Sequence, residues 1–281
     1  MNQIVQKVHE MRGRAAARKQ PPAKQPQQLG FWSERVRGLP NALARSALFT
    51  ASGKTEAREQ YTRHEVVSVK GITVYYTGEE LRQDDQDVFL QAVHLTRLFP
   101  LGNQIEVSGH ALLTALGWGR SKPNYERLKR TIARLVEGTI WVSFDDGRTG
   151  YTGRLIDKLK WRDDSETGER VRWKLFLDQD IVALFGENMF SLIDWEQRLS
   201  LSSLAKWLHS FYFTHREPVA YKVETIHKLC GSKAKHLAKF RYKLKESLEE
   251  LVAIGFFSEA RIDPHTDAVI VTRAARAALP E

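Results

Sequence analysis

The stretch KAKHLAKFRYKLKESLEELV, residues 233–252, decides how the rest of the chain is interpreted. Its apolar residues recur at steps of three and four, which is the spacing of one buried stripe on a helix. That stripe consists of Leu237, Phe240, Leu244, Leu248 and Leu251. The opposite side carries Lys235, His236, Lys239, Tyr242 and Lys243. The pattern therefore predicts an amphipathic helix over 233–252 with a basic outer face.

Charge is also polarised along this predicted helix. Its six Lys and Arg residues lie between 233 and 245, and its acids, Glu246, Glu249 and Glu250, follow them. A helix macrodipole favours the reverse order by roughly a few tenths of a kcal/mol per charge, so the bases serve something other than helix stability. Insertion of the N-terminal half into a DNA major groove explains the order. The candidate DNA contacts are Lys233, Lys235, His236, Lys239, Tyr242 and Lys243. For such a helix taken alone, a solvated protein surface is the alternative.

Length and composition limit the class of protein. With 281 residues, 42% of them hydrophobic, the chain is long enough for two packed cores. Residues 1–40 contribute +6 of the formal charge of +9, so DNA binding must depend on where the remaining charges lie. The one cysteine, Cys230, excludes an intramolecular disulfide and a multi-cysteine zinc module. Neither a membrane span nor a signal peptide is recognisable, so we expect a cytoplasmic protein without membrane contact.

The first half of the chain has a recognisable order of elements. Helices are predicted over 87–99, after the N-cap residue Ser108, and after Ser121. The third helix is followed by strands that begin at 139–144 and turn at 145–147. The order is three helices and then a hairpin.

The same order occurs again in the second half. A helix capped by Ser200 and a short helix over 223–229 precede the basic helix of 233–252. Two strands then flank a turn at 263–267. Leu128-Lys129 matches Leu244-Lys245, and Leu135-Val136 matches Leu251-Val252, at a constant offset of 116 residues. A duplicated unit explains that constant offset.

Three helices followed by a hairpin is the layout of a winged helix. The predicted fold class is therefore α+β, with two tandem winged-helix domains and a disordered basic N-terminal arm. The predicted divisions are a mobile arm over 1–38, a first domain over 39–194 and a second over 195–281. The third helix of the first domain is also basic, and its candidate DNA contacts are Arg127, Lys129, Arg130 and Arg134. We expect these four to lie on the outer face and to position the protein on DNA more than they specify sequence.

Catalytic and metal-binding signals are weak. The segment 52–55, SGKT, lacks the glycine that a phosphate-binding loop needs at position 48. No His-x-His pair is present to support a DNA-cleaving tyrosine. Acids at Asp84, Asp85 and Asp87 either hold a hard cation or, as the preferred interpretation, stabilise the start of a helix. We expect no enzymatic activity, no cofactor and no metal.

An apolar cluster interrupts the basic arm. Gln28, Leu29, Phe31 and Trp32 surround Gly30, directly after a segment rich in Pro, Gln and Lys. One interpretation is a short linear motif that a partner protein recognises. The alternative is a strand or turn that packs back on the folded part of the chain.

Three strings are similar to a known family. LPNALARSALFT (39–50), YTGEELRQDDQDV (76–88) and HREPVAYKVETIHKLCGS (215–232) closely resemble the TrfA family of plasmid replication initiators. The resemblance implies two winged-helix domains that bind direct repeats, called iterons, in a plasmid origin. It also implies a motif of the form Q-L-x-L-F that binds the sliding clamp, and Gln28, Leu29, Phe31 and Trp32 lie in the matching place. Here Phe31 replaces the second Leu and Trp32 replaces the Phe.

The resemblance also implies a set of partners. They are double-stranded origin DNA, single-stranded A·T-rich DNA, and the host sliding clamp, helicase and initiator, with the protein in a monomer–dimer equilibrium. A winged-helix transcriptional regulator is the alternative within the same class. An adaptor whose basic helices bind acidic proteins is the alternative outside it.

Overall fold

The computed structural model describes residues 29–53, 55–99, 104–144, 147–162, 172–177 and 179–274. The strands in these ranges are β1 Val36–Pro40, β2 Phe49–Thr50, β3 Gln60–Val66, β4 Ile72–Glu79, β5 Leu81–Arg82, β6 Gln104–Ser108, β7 Thr139–Phe144, β8 Thr149–Arg154, β9 Lys158–Arg162, β10 Arg172–Phe176, β11 Phe190–Asp194, β12 Tyr221–Lys222, β13 Phe257–Ile262 and β14 Ala268–Arg273. The helices are α1 Asn41–Ala44, α2 Gln83–Thr96, α3 Gly109–Ala115, α4 Lys122–Glu137, α5 Trp195–Ser200, α6 Ser203–Phe213, α7 Val223–Leu229 and α8 Leu237–Ala253, with a 3-10 helix at Gln179–Phe185. The predicted mixture of helices and strands, an α+β fold, is confirmed.

The second unit has the element order that the sequence predicts. Helices α6, α7 and α8 precede the β13–β14 hairpin, and the short strand β12 pairs with β14 to complete a sheet of order β12-β14-β13. The hairpin turn is built on Asp263, whose Oδ1 accepts hydrogen bonds from the amides of His265 and Thr266. The apolar stripe of the basic helix is buried as expected, at Phe240, Leu244, Leu248 and Leu251.

The first unit also has three helices before a hairpin, but its sheets are larger. The β7–β8 hairpin joins β3 and β4 in a four-stranded antiparallel sheet of order β3-β4-β7-β8. Strand β6, which stands where β12 stands in the second unit, pairs with β10 in a separate sheet of order β6-β10-β9. The first unit therefore repeats the helix order of the second unit but not its sheet.

The C-terminal ends of α3 and α7 match, which supports the internal repeat. The Ser108 hydroxyl accepts from the Ala111 amide at 3.0 Å, as an N-cap does. Helix α3 ends at Gly117 with φ +66° and α7 ends at Gly231 with φ +61°, a left-handed conformation in which glycine avoids a steric penalty. In both cases the glycine amide donates to a carbonyl three residues earlier, on Thr114 and Lys228 respectively.

Some predicted boundaries are wrong by a few residues. Helix α2 begins at Gln83 rather than at 87, and α6 is capped at Ser202 rather than Ser200 because the short helix α5 occupies 195–200. The basic helix begins at Leu237 rather than 233. Residues 232–236 instead connect α7 to α8, and within them the Lys233 side chain reaches the first unit.

The prediction places the end of the mobile arm too far along the chain. Residues 29–38 belong to the first unit: β1 pairs antiparallel with β11, and Leu29 and Trp32 lie in the same buried apolar cluster as the helices of that unit. The partners of Trp32, Phe185 and Phe190, lie about 150 residues later in the chain, so local sequence could not reveal the contact. Residues 1–28 lie outside the described ranges.

The two units meet in a polar, buried junction. The buried apolar residues form one cluster from Leu29 to Trp195 and a second from Leu201 to Val269. Between the clusters, the fully buried Arg198 donates to Asp87 Oδ1 at 2.7 Å. The remaining hydrogen bonds of its guanidinium reach Gln83, Gln86, Ser210 and the Lys206 carbonyl. Removing one member of such a network leaves a buried charge unpaired, so the junction is tightly specified.

Candidate nucleic-acid interface

The outer face of α8 brings most of the predicted DNA contacts together. Lys239, Tyr242 and Lys243 are exposed, and their spacing of three and four residues places them on one side of the helix. Tyr242 is 66% exposed although it is a large aromatic residue. Lys235 and His236 are also exposed, immediately before the helix, with His236 at the N-cap position. The result is a basic surface, here called the α8 face, at the N-terminal half of the helix.

The acidic half of the same helix has a structural role. The Glu250 carboxylate accepts a hydrogen bond at 2.8 Å from the amide of Ser202, the N-cap residue of α6. Glu246 accepts a hydrogen bond from Tyr242 and thereby raises the pKa of that phenol. The acids therefore hold the helix and its tyrosine in place, and the lysines of the α8 face remain directed to solvent.

A residue pair that sequence reasoning missed joins α8 to the hairpin. Arg241 donates from Nη2 to both carboxylate oxygens of Asp267, each at 2.9 Å, and from Nε to Oδ1 at 3.0 Å. Asp267 lies in the hairpin turn with φ +54°. The hydrogen bonds to Asp267 raise the pKa of Arg241. The available signal was an arginine of the basic helix that lies off the exposed face, together with an acid in the following turn.

An open groove of about 880 Å³ runs between α8 and the hairpin. Its helix wall includes Arg241, Tyr242 and Lys245, and its hairpin wall includes Arg261 and Pro264. Its lining includes three basic side chains and three acidic ones, Glu249, Asp263 and Asp267, so the charge of the groove is balanced.

Lys233 does not belong to the α8 face. Its ammonium group lies 2.7 Å from Glu80 and 3.1 Å from Glu59, both in the first unit, and it also donates to the Ala57 carbonyl. Although burial favours a neutral carboxyl, hydrogen bonds from Lys233, Thr50 and Arg82 lower the pKa of Glu80 to about 2. Lys233 is thus paired with two carboxylates of the first unit, apart from the α8 face, and its role as a DNA contact stays a prediction.

The predicted contacts of the first unit are divided by the structure. Arg134 was expected on the outer face but is buried, with Nε and Nη2 donating to Asp85 Oδ1 at 2.9 and 2.7 Å. Arg127 packs over the Trp118 ring at 3.7 Å and pairs with Asp84 at 3.1 Å. Lys129, paired weakly with Glu126 at 3.5 Å, and the exposed Arg130 remain available to solvent.

The acids at the start of α2 accept these arginines. Asp85 is fully buried, and it accepts from Arg58 and Arg134 as well as from the Arg82 amide at the N-terminus of the helix. Asp87 accepts from Arg198 and from Lys206, the latter at 2.5 Å. Charge pairing and helix capping therefore account for the acidic cluster. Within the described ranges no group of three or more His, Cys, Asp or Glu side chains is arranged to hold a metal ion.

The predicted clamp motif is only partly accessible to a partner protein. Gln28 lies outside the described residues, and Leu29 and Trp32 are buried, so the interpretation of this segment as a free tether is wrong for the part that is described. Phe31 is 80% exposed.

Of the helices in the described part of the chain, none is long and apolar enough to cross a membrane.

Two crystal structures share the fold of this chain. Domains 2 and 3 of RctB, in a crystal structure of selenomethionine derivatives, superpose on this chain with a TM-score of 0.57 and 12% sequence identity, covering 85% of this chain and 100% of that one. A second crystal structure of RctB domains 2-3 gives a TM-score of 0.52 and 13% identity, covering 75% of this chain and 83% of that one. The chain therefore shares the α+β fold of these two domains.

The family follows from the sequence. Residues 19–272 match the family model described as TrfA protein, and the plasmid replication initiator protein TrfA of Escherichia coli is 30% identical over 234 residues. The chain belongs to the TrfA family, as its three strings indicate. The aligned residues are 83% of this chain and 61% of that protein, so the chain spans about three fifths of the length of its curated relative.

Proposed function

We propose that this protein initiates plasmid replication by binding direct repeats in a plasmid origin through two winged-helix units. The observation that carries the proposal is the α8 face, a set of exposed basic and aromatic side chains beside a hairpin, in a chain of the TrfA family. Helix α8 is the recognition helix of the second unit and enters the major groove, and the β13–β14 hairpin is its wing.

The first unit has a supporting role in this proposal. Lys129 and Arg130 contact phosphate and hold the protein in register, and the α8 face reads base edges. Arg127 and Arg134 act inside the protein, where they fix α4 against α2. The first unit also provides a dimer contact, so that the protein is dimeric in solution and monomeric on each repeat. Light scattering combined with band-shift stoichiometry measures both states.

Binding is followed by opening of adjacent A·T-rich DNA and by recruitment of the host sliding clamp, helicase and initiator. The protein acts in the cytoplasm, by binding and not by catalysis. Clamp recruitment uses the segment 28–32, with Leu29, Phe31 and Trp32 entering an apolar pocket of the clamp.

Substitution of the α8 face tests the proposal. Alanine at Lys235, Lys239 and Lys243 together is expected to weaken repeat binding and to lower the slope of log K against log[salt] by up to about 0.9 for each lost phosphate contact. A charge-matched control replaces the exposed residues Lys70, Arg120 and Arg148 of the first unit. Fluorescence anisotropy on a repeat duplex over a salt series gives both quantities. Unchanged affinity in a folded α8 triple variant would contradict the assignment of the α8 face as the DNA-binding surface.

Two further measurements separate the alternatives. Retention of a repeat duplex against excess random DNA distinguishes an initiator or a transcriptional regulator from an adaptor that binds acidic proteins. Loss of base pairing beside the repeats distinguishes an initiator from a regulator. Footprinting on the DNA that carries the gene identifies the repeat itself.

A further inference from the structure

The segment Leu29–Glu34 occupies a cleft of the first unit that fits a tryptophan side chain. Trp32 is 4% exposed, and its ring stacks on Phe185 with centroids 6.5 Å apart and lies 6.0 Å from Phe190. The floor of the cleft is Gly38 of β1, where an added Cβ would come within 2.9 Å of the indole ring. The cleft therefore has room for the indole because residue 38 has no side chain.

Polar contacts hold the same segment from the other side. The Trp32 indole N–H donates to His94 Nδ1 at 3.1 Å, and Arg97 Nε donates to the Trp32 carbonyl at 3.0 Å. Glu34 is itself exposed, yet it accepts from Arg97 and lies 2.8 Å from His94 Nε2. His94 and Arg97 are buried at the C-terminal end of α2. Burial lowers the pKa of His94 to about 4, so the ring is neutral and its Nδ1 can accept the hydrogen bond from the indole N–H.

The segment cannot make these contacts and dock on a clamp at once. Of the three apolar side chains proposed to contact the clamp, Leu29 and Trp32 face the protein core and only Phe31 faces solvent. Docking in the proposed mode requires all three side chains to enter one pocket of the partner. The two arrangements exclude each other.

We propose that the cleft formed by Gly38, His94, Arg97, Phe185 and Phe190 is an intramolecular docking site for the segment Leu29–Glu34, and that a sliding clamp binds only the form in which this segment has left the cleft. The proposal rests on the proposed clamp docking. The apparent dissociation constant for the clamp is then the intrinsic constant divided by the fraction of molecules with the segment released. The cleft thereby limits how much of the protein can engage the clamp at any moment.

Two substitutions outside 28–32 weaken the docked state without changing the motif. Gly38→Ala places a methyl group against the indole ring, and Glu34→Ala removes the carboxylate that His94 and Arg97 contact. The matched control is Gly119→Ala, where the nearest atom to the added Cβ, on Asn124, is 3.5 Å away. Binding to a purified bacterial sliding clamp is measured by surface plasmon resonance for the full-length variants and for a peptide of residues 24–33.

The expected result is that the peptide binds the clamp more tightly than the intact chain. Gly38→Ala should recover about tenfold in affinity, because the added methyl group clashes with the indole ring. Glu34→Ala should recover up to about fivefold, because an ion pair with an exposed partner contributes less, and Gly119→Ala should behave as the unsubstituted chain. Equal affinity of the peptide and every full-length form overturns the docking site. A peptide that does not bind overturns clamp docking instead. In that case, hydrogen exchange of amides 29–34 tests the docking site by itself. Faster exchange in both cleft variants supports the docking site, and exchange as slow as in Gly119→Ala overturns it.

Discussion

The Arg241 guanidinium and the Asp267 carboxylate form a three-bond contact that ties α8 to the turn of its hairpin, with Nη2 at 2.9 Å from each oxygen. Both side chains are about two-fifths exposed, so the pair adds less than about 1 kcal/mol to stability. Its main effect is geometric, because it fixes the angle between the basic helix and the strands beside it.

The first prediction is that Arg241→Ala and Asp267→Asn each weaken repeat binding by about threefold to tenfold, an amount within the range of 0.5 to 3 kcal/mol for coupled neighbours. Asparagine tolerates the positive φ of residue 267, so this variant removes charge without adding backbone strain. Because both substitutions remove the same contact, the double variant should lose little more than either single variant. Anisotropy on a repeat duplex, with urea melts as the check on folding, measures the cycle. Losses that simply add would show that the two residues act separately.

The second prediction concerns the two arginines of α4 that the structure separates. Arg134→Ala is expected to cost about 3 kcal/mol of unfolding free energy, because it leaves the buried Asp85 with fewer cationic partners. Arg130→Ala, at an exposed position of the same helix, should cost within about 0.5 kcal/mol and should weaken DNA binding equally on all sequences. Chemical denaturation and anisotropy distinguish the two effects. A stable Arg134→Ala protein with reduced affinity would restore Arg134 to the DNA-binding surface.

A third prediction follows from a buried histidine in the second unit. Neither ring nitrogen of His209 has a hydrogen-bond partner within the described part of the chain, and burial, aided by Arg198 and Arg273, lowers its pKa from 6.5 to about 3. Below pH 6.5 the unfolded chain binds a proton that the folded chain excludes, so stability falls as pH falls, until about pH 3. The slope from this group is about 1.4 kcal/mol per pH unit.

Replacement by leucine tests the contribution of His209. Between pH 6.5 and 5 the His209→Leu variant should lose roughly 2 kcal/mol less than the unsubstituted protein. Above pH 7 the pH dependence of the two proteins should be parallel. His110→Leu, at an exposed position, is the matched control. Identical acid slopes for all three proteins would contradict the assignment.

The fourth prediction concerns DNA opening. Stacking is worth about 1.4 kcal/mol per step, so exposing ten base pairs costs on the order of 14 kcal/mol, whereas specific binding exceeds non-specific binding by roughly 4 to 10 kcal/mol. One bound molecule therefore cannot open the duplex. Permanganate-reactive thymines should appear beside the repeats only on supercoiled DNA and only when several repeats are filled. Opening of a linear fragment with one repeat, without other proteins, would refute this cooperative account.

Local patterns in the sequence carry much of the fold. The hydrophobic period identifies α8, the cap at Ser108 and the glycine stop at Gly117 fix both ends of α3, and the constant offset between Leu128 and Leu244 reveals the repeat. Each of these signals lies within one helix or in a comparison of two helices. The exposed lysines of the α8 face are predictable for the same reason, because one helical wheel places them.

Contacts between residues far apart in the chain could not be predicted from the sequence. Arg134 flanks the apolar stripe of its helix, but its partner Asp85 lies 49 residues earlier and is identified only by the packing of α2 on α4. Trp32 has the composition of a linear motif, yet its partner His94 lies 62 residues away. Lys233 continues the basic run of α8 in sequence, and a partner 153 residues away, Glu80, removes it from that surface.

The bridge from Lys233 to Glu80 has a consequence for the spacing of the DNA site. Together with the pair of Arg198 and Asp87, it ties the segment before α8 and the helix α5 to the first unit. B-form DNA completes one turn in about 10.5 base pairs, so each base pair inserted within a repeat rotates one half of the site by roughly 34° away from its unit. In the proposed mode of binding, the length of a single repeat is therefore fixed by this junction, whereas the distance between neighbouring repeats is free to change by whole helical turns.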